Sequence, residues 1–225
     1  PVENIHLVQK YVNADGAKPK LSKLGEKAWK NTRKKVAKTV ENIAEELAEI
    51  YAERKARKGF AFAVDDLEMQ KFELRFEFEE TQDQLDVISS VKADMEKEMP
   101  MDRLVCGDVG FGKTEIAVRA AMIATVNSKQ TLVLAPTTIL AQQHWNTLRE
   151  RYRELPVNVE MVSRFRKAAD VKKILQAYEK GEVDVLVGTH RVLSRDVIPK
   201  RLGLVIIDEE QRFGVMQKDV LRQLR

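Results

Sequence analysis

A doubly wound α/β domain with a parallel sheet, preceded by one long helix, is the fold class that this 225-residue sequence predicts. Three observations predict it. From Thr81 onward, helical segments alternate with short apolar strands. The strands are nearly continuous apolar runs, such as Thr131-Leu132-Val133-Leu134-Ala135 and Val183-Asp184-Val185-Leu186-Val187, as a sheet covered on both faces requires. Upstream, residues 26–58 contain neither glycine nor proline and are rich in Ala, Glu, Lys and Arg.

The elements follow in order. Residues 1–20 are too few to build a core; Ile5, Leu7 and Val8 suggest a short strand, broken at Asn13-Ala14-Asp15-Gly16. In the long helix, Trp29, Val36, Ile43 and Ile50 fall seven apart, with Val40 and Leu47 interleaved, giving one narrow apolar stripe. Ser22 is placed to cap its start and Gly59 to stop it. Such a helix reaches roughly 50 Å and needs a partner surface. Between Phe60 and Phe78, five phenylalanines (60, 62, 72, 76, 78) stand among acids, a pattern for docking a connector onto the next domain. Then come helix 82–95, strand 103–106, helix 113–126, strand 131–135 and helix 138–151. Strand 157–162, helix 170–179, strand 183–187 and strand 203–207 complete the set. The predicted division is 1–20, 21–80 and 81–225.

Composition narrows the function classes. At 44% hydrophobic and 33% charged, the chain can bury one full core plus attached elements. No apolar run is long enough to span a membrane, and Pro1-Val2-Glu3-Asn4 does not begin a signal peptide. The single cysteine, Cys106, excludes an intrachain disulfide, which fits a reducing cytoplasm, and its apolar neighbours mark it as small core filler. His6, His144 and His190 lack metal-ligand spacing. Charge is uneven: residues 17–58 carry 13 basic and 6 acidic side chains, residues 59–100 carry 4 and 12, and residues 101–225 carry 21 and 15. A basic arm, an acidic middle and a mildly basic domain have different surfaces to offer.

Gly107-Asp108-Val109-Gly110-Phe111-Gly112-Lys113-Thr114 fits the phosphate loop G-x-x-x-x-G-K-[ST] between a predicted strand and a predicted helix. Its glycines let backbone N–H groups converge on one anion, Lys113 can reach the β- and γ-phosphates, and the Thr114 hydroxyl can ligate Mg2+. Val205-Ile206-Ile207 runs directly into Asp208-Glu209-Glu210. Asp208 is placed to hold Mg2+ through water, and Glu209 to orient or deprotonate an attacking water. The Gln84 amide, in the segment that starts at Phe78, can pair with the N6 and N7 edge of adenine and select ATP; Thr81 capping a helix is the compatible plain alternative. Thr137, Thr138 and Gln142 follow one strand, and Thr189, His190 and Arg191 another, at the edge where such sheets bind ligands. With Arg164 and Arg166 they are candidate contacts to nucleic-acid phosphates, against the ordinary alternative of capped helix starts.

The order of these motifs resembles the first RecA-like motor domain of superfamily-two helicases and translocases. The wording of Gly107–Glu115, Pro136–His144, Ser163–Arg166 and Glu209–Val215, together with Lys23-Leu24-Gly25 before Trp29, is similar to bacterial transcription-repair coupling factors. RecG-type helicases share much of it. The resemblance implies an ATP- and Mg2+-dependent translocase on double-stranded DNA that displaces stalled RNA polymerase and recruits excision-repair proteins. It implies that residues 1–20 end a polymerase-binding domain and that residues 21–80 form a linker. Where the family has histidine at the end of its acidic motif, this chain has Gln211, which implies altered coupling to a partner domain. The chain ends before a second motor domain, so the expectation is weak ATP binding and almost no hydrolysis by this piece alone. The alternatives are a RecG-like or RNA-directed helicase, or a protein-interaction module with a vestigial nucleotide site; a small GTPase is disfavoured because no Asn-Lys-x-Asp segment occurs.

Overall fold

The computed structural model describes residues 27–64 and 67–213. The expectations for residues 1–20, for Ser22 and for Lys23-Leu24-Gly25 lie outside them. The chain divides into two compact units, residues 1–53 and 54–225. The described part of the first belongs to helix α1 (Lys27–Ala56). Along its predicted stripe, Trp29, Val36, Val40 and Ile43 are exposed.

The second unit is built on four parallel strands, β1 (Gln130–Leu134), β2 (Val159–Val162), β3 (Val185–Gly188) and β4 (Leu202–Ile207), in the order β2-β3-β1-β4. Alternate residues of each strand point to opposite faces, and both faces are covered. On one, Val133, Val185, Val187, Val159 and Met161 pack with α3 (Gln82–Met95), α4 (Lys113–Val126) and α5 (Thr138–Arg151). On the other, Leu132, Leu134, Leu186 and Val162 pack with Ile174, Leu175 and Tyr178 of α6 (Ala168–Lys180). This is the predicted doubly wound α/β fold. Helix α4 is apolar nearly all round, as a helix buried against the sheet must be.

Two expectations fail. Residues 103–106 form no strand, and Cys106 is exposed rather than core filler. An apolar run becomes a strand only where a neighbour takes its hydrogen bonds, and no described strand pairs with it. Leu104 is 83% exposed.

The segment between α1 and α3 belongs to the domain core. Phe62, Val64, and Met69 and Phe72 of α2 (Leu67–Glu73) are buried in the same cluster as α4. Phe60 and Phe78 remain exposed, so only part of the aromatic run docks. Asn127, at the C-terminal end of α4, exchanges two hydrogen bonds with the Ala63 backbone, of 2.9 and 2.8 Å. Arg119 of α4 is 4% exposed and pairs with Glu80, which precedes α3, and with Glu115 one turn away at 3.0 Å. Glu115 is in turn held by Arg151 of α5 at 2.7 Å.

Buried Gln130 begins β1 and spends its whole amide on backbone. Its Nε2 donates to Tyr178 O (2.8 Å) and Val183 O (2.7 Å), and its Oε1 accepts from Arg201 N (2.9 Å). Gln130→Leu therefore removes three hydrogen bonds to backbone groups, two of them buried. It is expected to cost about 2–4 kcal/mol in urea unfolding; a loss below about 0.5 kcal/mol would show that water replaces the amide.

Candidate nucleotide site and nucleic-acid surface

The glycine-rich loop needs its glycines for conformation. Gly110 and Gly112 sit at φ 85° and 80°, where side chains are strained. Gly112 is also the N-cap residue of α4 and supplies no side-chain cap, so the first amides of α4 keep their capacity for an anion. Lys113 curls back over the loop, donating from Nζ to Gly107 O (2.6 Å) and Asp108 O (2.7 Å). Asp108 and Val109 form the exposed crown of the loop, and Thr114 is half-buried in the first turn of α4. Carbonyl partners satisfy only part of an ammonium, which a phosphate can satisfy more strongly.

Gln84 does two jobs at once. Its backbone and side chain form a capping box with Thr81, the Thr81 N–H donating to Oε1 at 2.9 Å. Its Nε2 donates to Phe111 O at 2.6 Å, inside the phosphate loop. A Cβ on Gly112 would lie 2.5 Å from that Nε2. One N–H and one carbonyl lone pair of the Gln84 amide are thus engaged within the protein, which leaves one of each for a further partner. Beside the loop lies a cavity of about 750 Å³, lined by Asp83, Asp86, Val87, Cys106, Gly107, Asp108 and Phe111. Phe78 is exposed and stacks edge-on against Phe76 at 5.6 Å.

Asp208 lies one residue past β4. Its N–H donates to Leu134 O at 2.9 Å, which locks it to the end of β1. Its Oδ2 accepts from His144 Nε2 at 2.7 Å. That hydrogen bond holds the Asp208 carboxyl below the usual carboxylate range against the opposing effect of burial, and the Lys113 charge acts in the same direction. Glu209 occupies the left-handed region at φ 50°. Its buried Oε2 is ion-paired with Arg212, outside hydrogen-bond geometry. Gln211 is exposed on the short 3-10 turn Glu210–Arg212. A glycine cradle, an ammonium, a hydroxyl at Thr114 and an ionised carboxylate suit a triphosphate with Mg2+.

Seven of the eight residues predicted to meet nucleic acid surround one depression. Thr137, Thr138, Arg164, Arg166, Thr189, His190 and Arg191 line a cavity of about 1000 Å³ at the C-terminal ends of β1, β2 and β3. Gln142 is not among them and bonds Asn146 at 3.0 Å. Thr137 caps α5, its hydroxyl accepting from Leu140 N at 3.2 Å. Thr189 is buried, Arg166 pairs with Glu160 at 3.0 Å, and Arg191 is bidentate to Asp196. Arg164 is exposed and stacks on Phe165. Gly188 permits this corner, because a Cβ there would lie 2.5 Å from Val192 Cγ1 and 2.7 Å from Val162 O.

Sequence reasoning missed His144 and Arg212. His144 lacks metal-ligand spacing, although it ends the Pro136–His144 run that carries part of the family resemblance. Its partner lies 64 residues away, and no local pattern shows such a bond.

A family model described as DEAD/DEAH box helicase matches residues 81–225. The transcription-repair-coupling factors of Bacillus subtilis and Haemophilus influenzae are 52% and 51% identical over the whole chain. The chain spans 19% and 20% of their lengths, about one fifth. The structure of RecG bound to a three-way DNA junction matches with a TM-score of 0.69 and 34% identity, over 76% of this chain and 24% of that one. A hypothetical ATP-dependent RNA helicase from Sulfolobus tokodaii shares the fold, with a TM-score of 0.51 and 21% identity over 68% of this chain and 44% of that one. Among the described residues no helix is long and apolar enough to cross a membrane. The chain belongs to the DEAD/DEAH box helicase family, within which its relatives at about 50% identity are transcription-repair-coupling factors.

Proposed function

We propose that this chain is the ATP-binding half of a double-stranded DNA translocase. In the whole protein it drives removal of stalled RNA polymerase in transcription-coupled repair, alongside excision-repair proteins. The observation that carries the reading is the glycine loop Gly107–Gly112 at the N-terminus of α4, with its left-handed Gly110 and Gly112 and with Lys113 folded over it. The identity to transcription-repair-coupling factors supports the biological setting. In this reading residues 21–80 link a polymerase-binding segment to the motor, and the protein works in the cytoplasm.

The roles of the residues follow from their chemistry. The loop amides and Lys113 bind and orient the triphosphate. Thr114 and Asp208 would hold Mg2+, which supplies charge neutralisation at the phosphates when bound. Glu209 serves as the base that positions water once it parts from Arg212. Gln84 keeps the loop in shape. Hydrolysis by the 225-residue chain alone is slow, because the transition-state arginine of such motors comes from a second domain, worth about 10³ to 10⁵ in rate.

The basic depression is the proposed track for a DNA backbone. Arg164→Ala is expected to weaken binding of mixed-sequence duplex about 3- to 10-fold, uniformly across sequences, and to flatten the log K against log salt slope by about 1. Fluorescence anisotropy at 25–200 mM salt reads both. Equal affinity of wild type and variant, or a clear preference for single-stranded RNA, would overturn the duplex-DNA reading.

A further inference from the structure

We propose that His144 is the positioning residue of Asp208, setting the orientation in which that carboxylate meets the metal of the nucleotide site. The inference rests on the nucleotide reading above and assigns to it a residue from the helix that begins at the nucleic-acid surface.

An aspartate carboxylate accepts hydrogen bonds and donates none. The 2.7 Å contact therefore fixes His144 as the donor through Nε2. An aspartate at the end of a strand has two torsions to settle, and a carboxylate that meets a metal through water gains from having one oxygen tied down. Here Oδ2 is the oxygen tied.

The geometry of the anchor matters as much as the bond. The Asp208 backbone is hung from Leu134 O, the last residue of β1. Three residues beyond Leu134 the chain turns at Thr137 into α5. His144, two turns along α5, then reaches back to Asp208. Leu134, α5, His144 and Asp208 thus form a closed ring of covalent and hydrogen bonds. The same α5 presents Thr137 and Thr138 to the basic depression. The imidazole and the carboxylate are both only partly exposed, 17% and 30%, so water competes poorly for the bond.

The test is a MgCl2 titration, at one fixed pH, of the affinity of the 225-residue chain for a fluorescent non-hydrolysable ATP analogue. Wild type, His144→Ala and His144→Gln are compared, with thermal unfolding of each. The expected result is that His144→Ala raises the Mg2+ needed for half-maximal tight binding by about 10-fold. Its metal-free affinity stays within twofold of wild type, and His144→Gln, whose amide can donate from a similar reach, recovers most of the loss. Three results would overturn the inference. One is an unchanged Mg2+ requirement in His144→Ala. Another is an equal loss with and without Mg2+, the mark of a merely structural bond. The last is failure of the glutamine to rescue in a folded protein. Absence of any Mg2+-dependent affinity in wild type would instead sink the nucleotide reading itself, so the two failures are told apart.

Discussion

Lys113→Ala is expected to lower the affinity of the chain for ATP in the presence of Mg2+ by about 10- to 150-fold. Its ammonium is the one cation of the loop, and a charge-assisted hydrogen bond to phosphate contributes about 1.5–3 kcal/mol. In the structure Nζ rests on Gly107 O and Asp108 O. In the proposed complex the ammonium exchanges these carbonyls for the phosphates. The loop carbonyls it leaves are exposed to solvent and can be hydrated, so stability should change by less than about 1 kcal/mol. Isothermal titration and a melt of the same sample measure both quantities. Whatever slow turnover the 225-residue chain shows should vanish in the variant. Wild-type turnover of about 1 s⁻¹ or more that Lys113→Ala abolishes would refute the claim that this half alone is a poor hydrolase. Undiminished binding in Lys113→Ala would refute the site.

The second large effect concerns stability. Arg119→Leu is expected to cost about 2–4 kcal/mol, because it leaves the Glu80 carboxylate without its guanidinium beside a buried apolar group, while Glu115 keeps Arg151. For a unit of this size that corresponds to a fall in Tm of roughly 10 °C. Pairing the change with Glu80→Met should restore part of the loss, and a loss under about 1 kcal/mol for Arg119→Leu would show that the cluster opens to water. The cluster also predicts acid sensitivity. The Arg119 hydrogen bond, the largest influence, holds the Glu80 carboxyl below its ordinary range, while burial opposes it. A carboxyl whose folded pKa is depressed adds stability above its unfolded value, and that stability is lost as pH falls through the folded one. The decline therefore begins below about pH 4.3, and Glu80→Gln should flatten it in unfolding curves between pH 6 and 3.

Much of the architecture was legible because apolar periodicity and capping are local. Helices 82–95 and 138–151 form with the predicted bounds, the first behind the Thr81 capping box and the second behind the Thr137 cap. Strand 103–106 was not legible, since Leu104-Val105-Cys106 has the composition of a strand but no described neighbour to pair with. Composition states what a segment could bury; only the sheet states what lies beside it. The phosphate loop was readable because its spacing is itself the chemistry. The gathering of Thr137, Arg164 and Thr189 around one depression followed from their places at strand ends. Gln84 carries more than one contact per side chain, and the sequence offered no sign that its amide is already used twice. The division at residue 81 was blurred for a similar reason. Phe62, Met69 and Phe72 stand in an acidic stretch, yet they complete the core beneath α4.

The paired bonds between Asn127 and Ala63 give α4 a fixed heel. Its toe is the phosphate loop. The 14 residues of α4 thus tie the chain that enters the domain near Ala63 to the glycine loop at the other end of the helix.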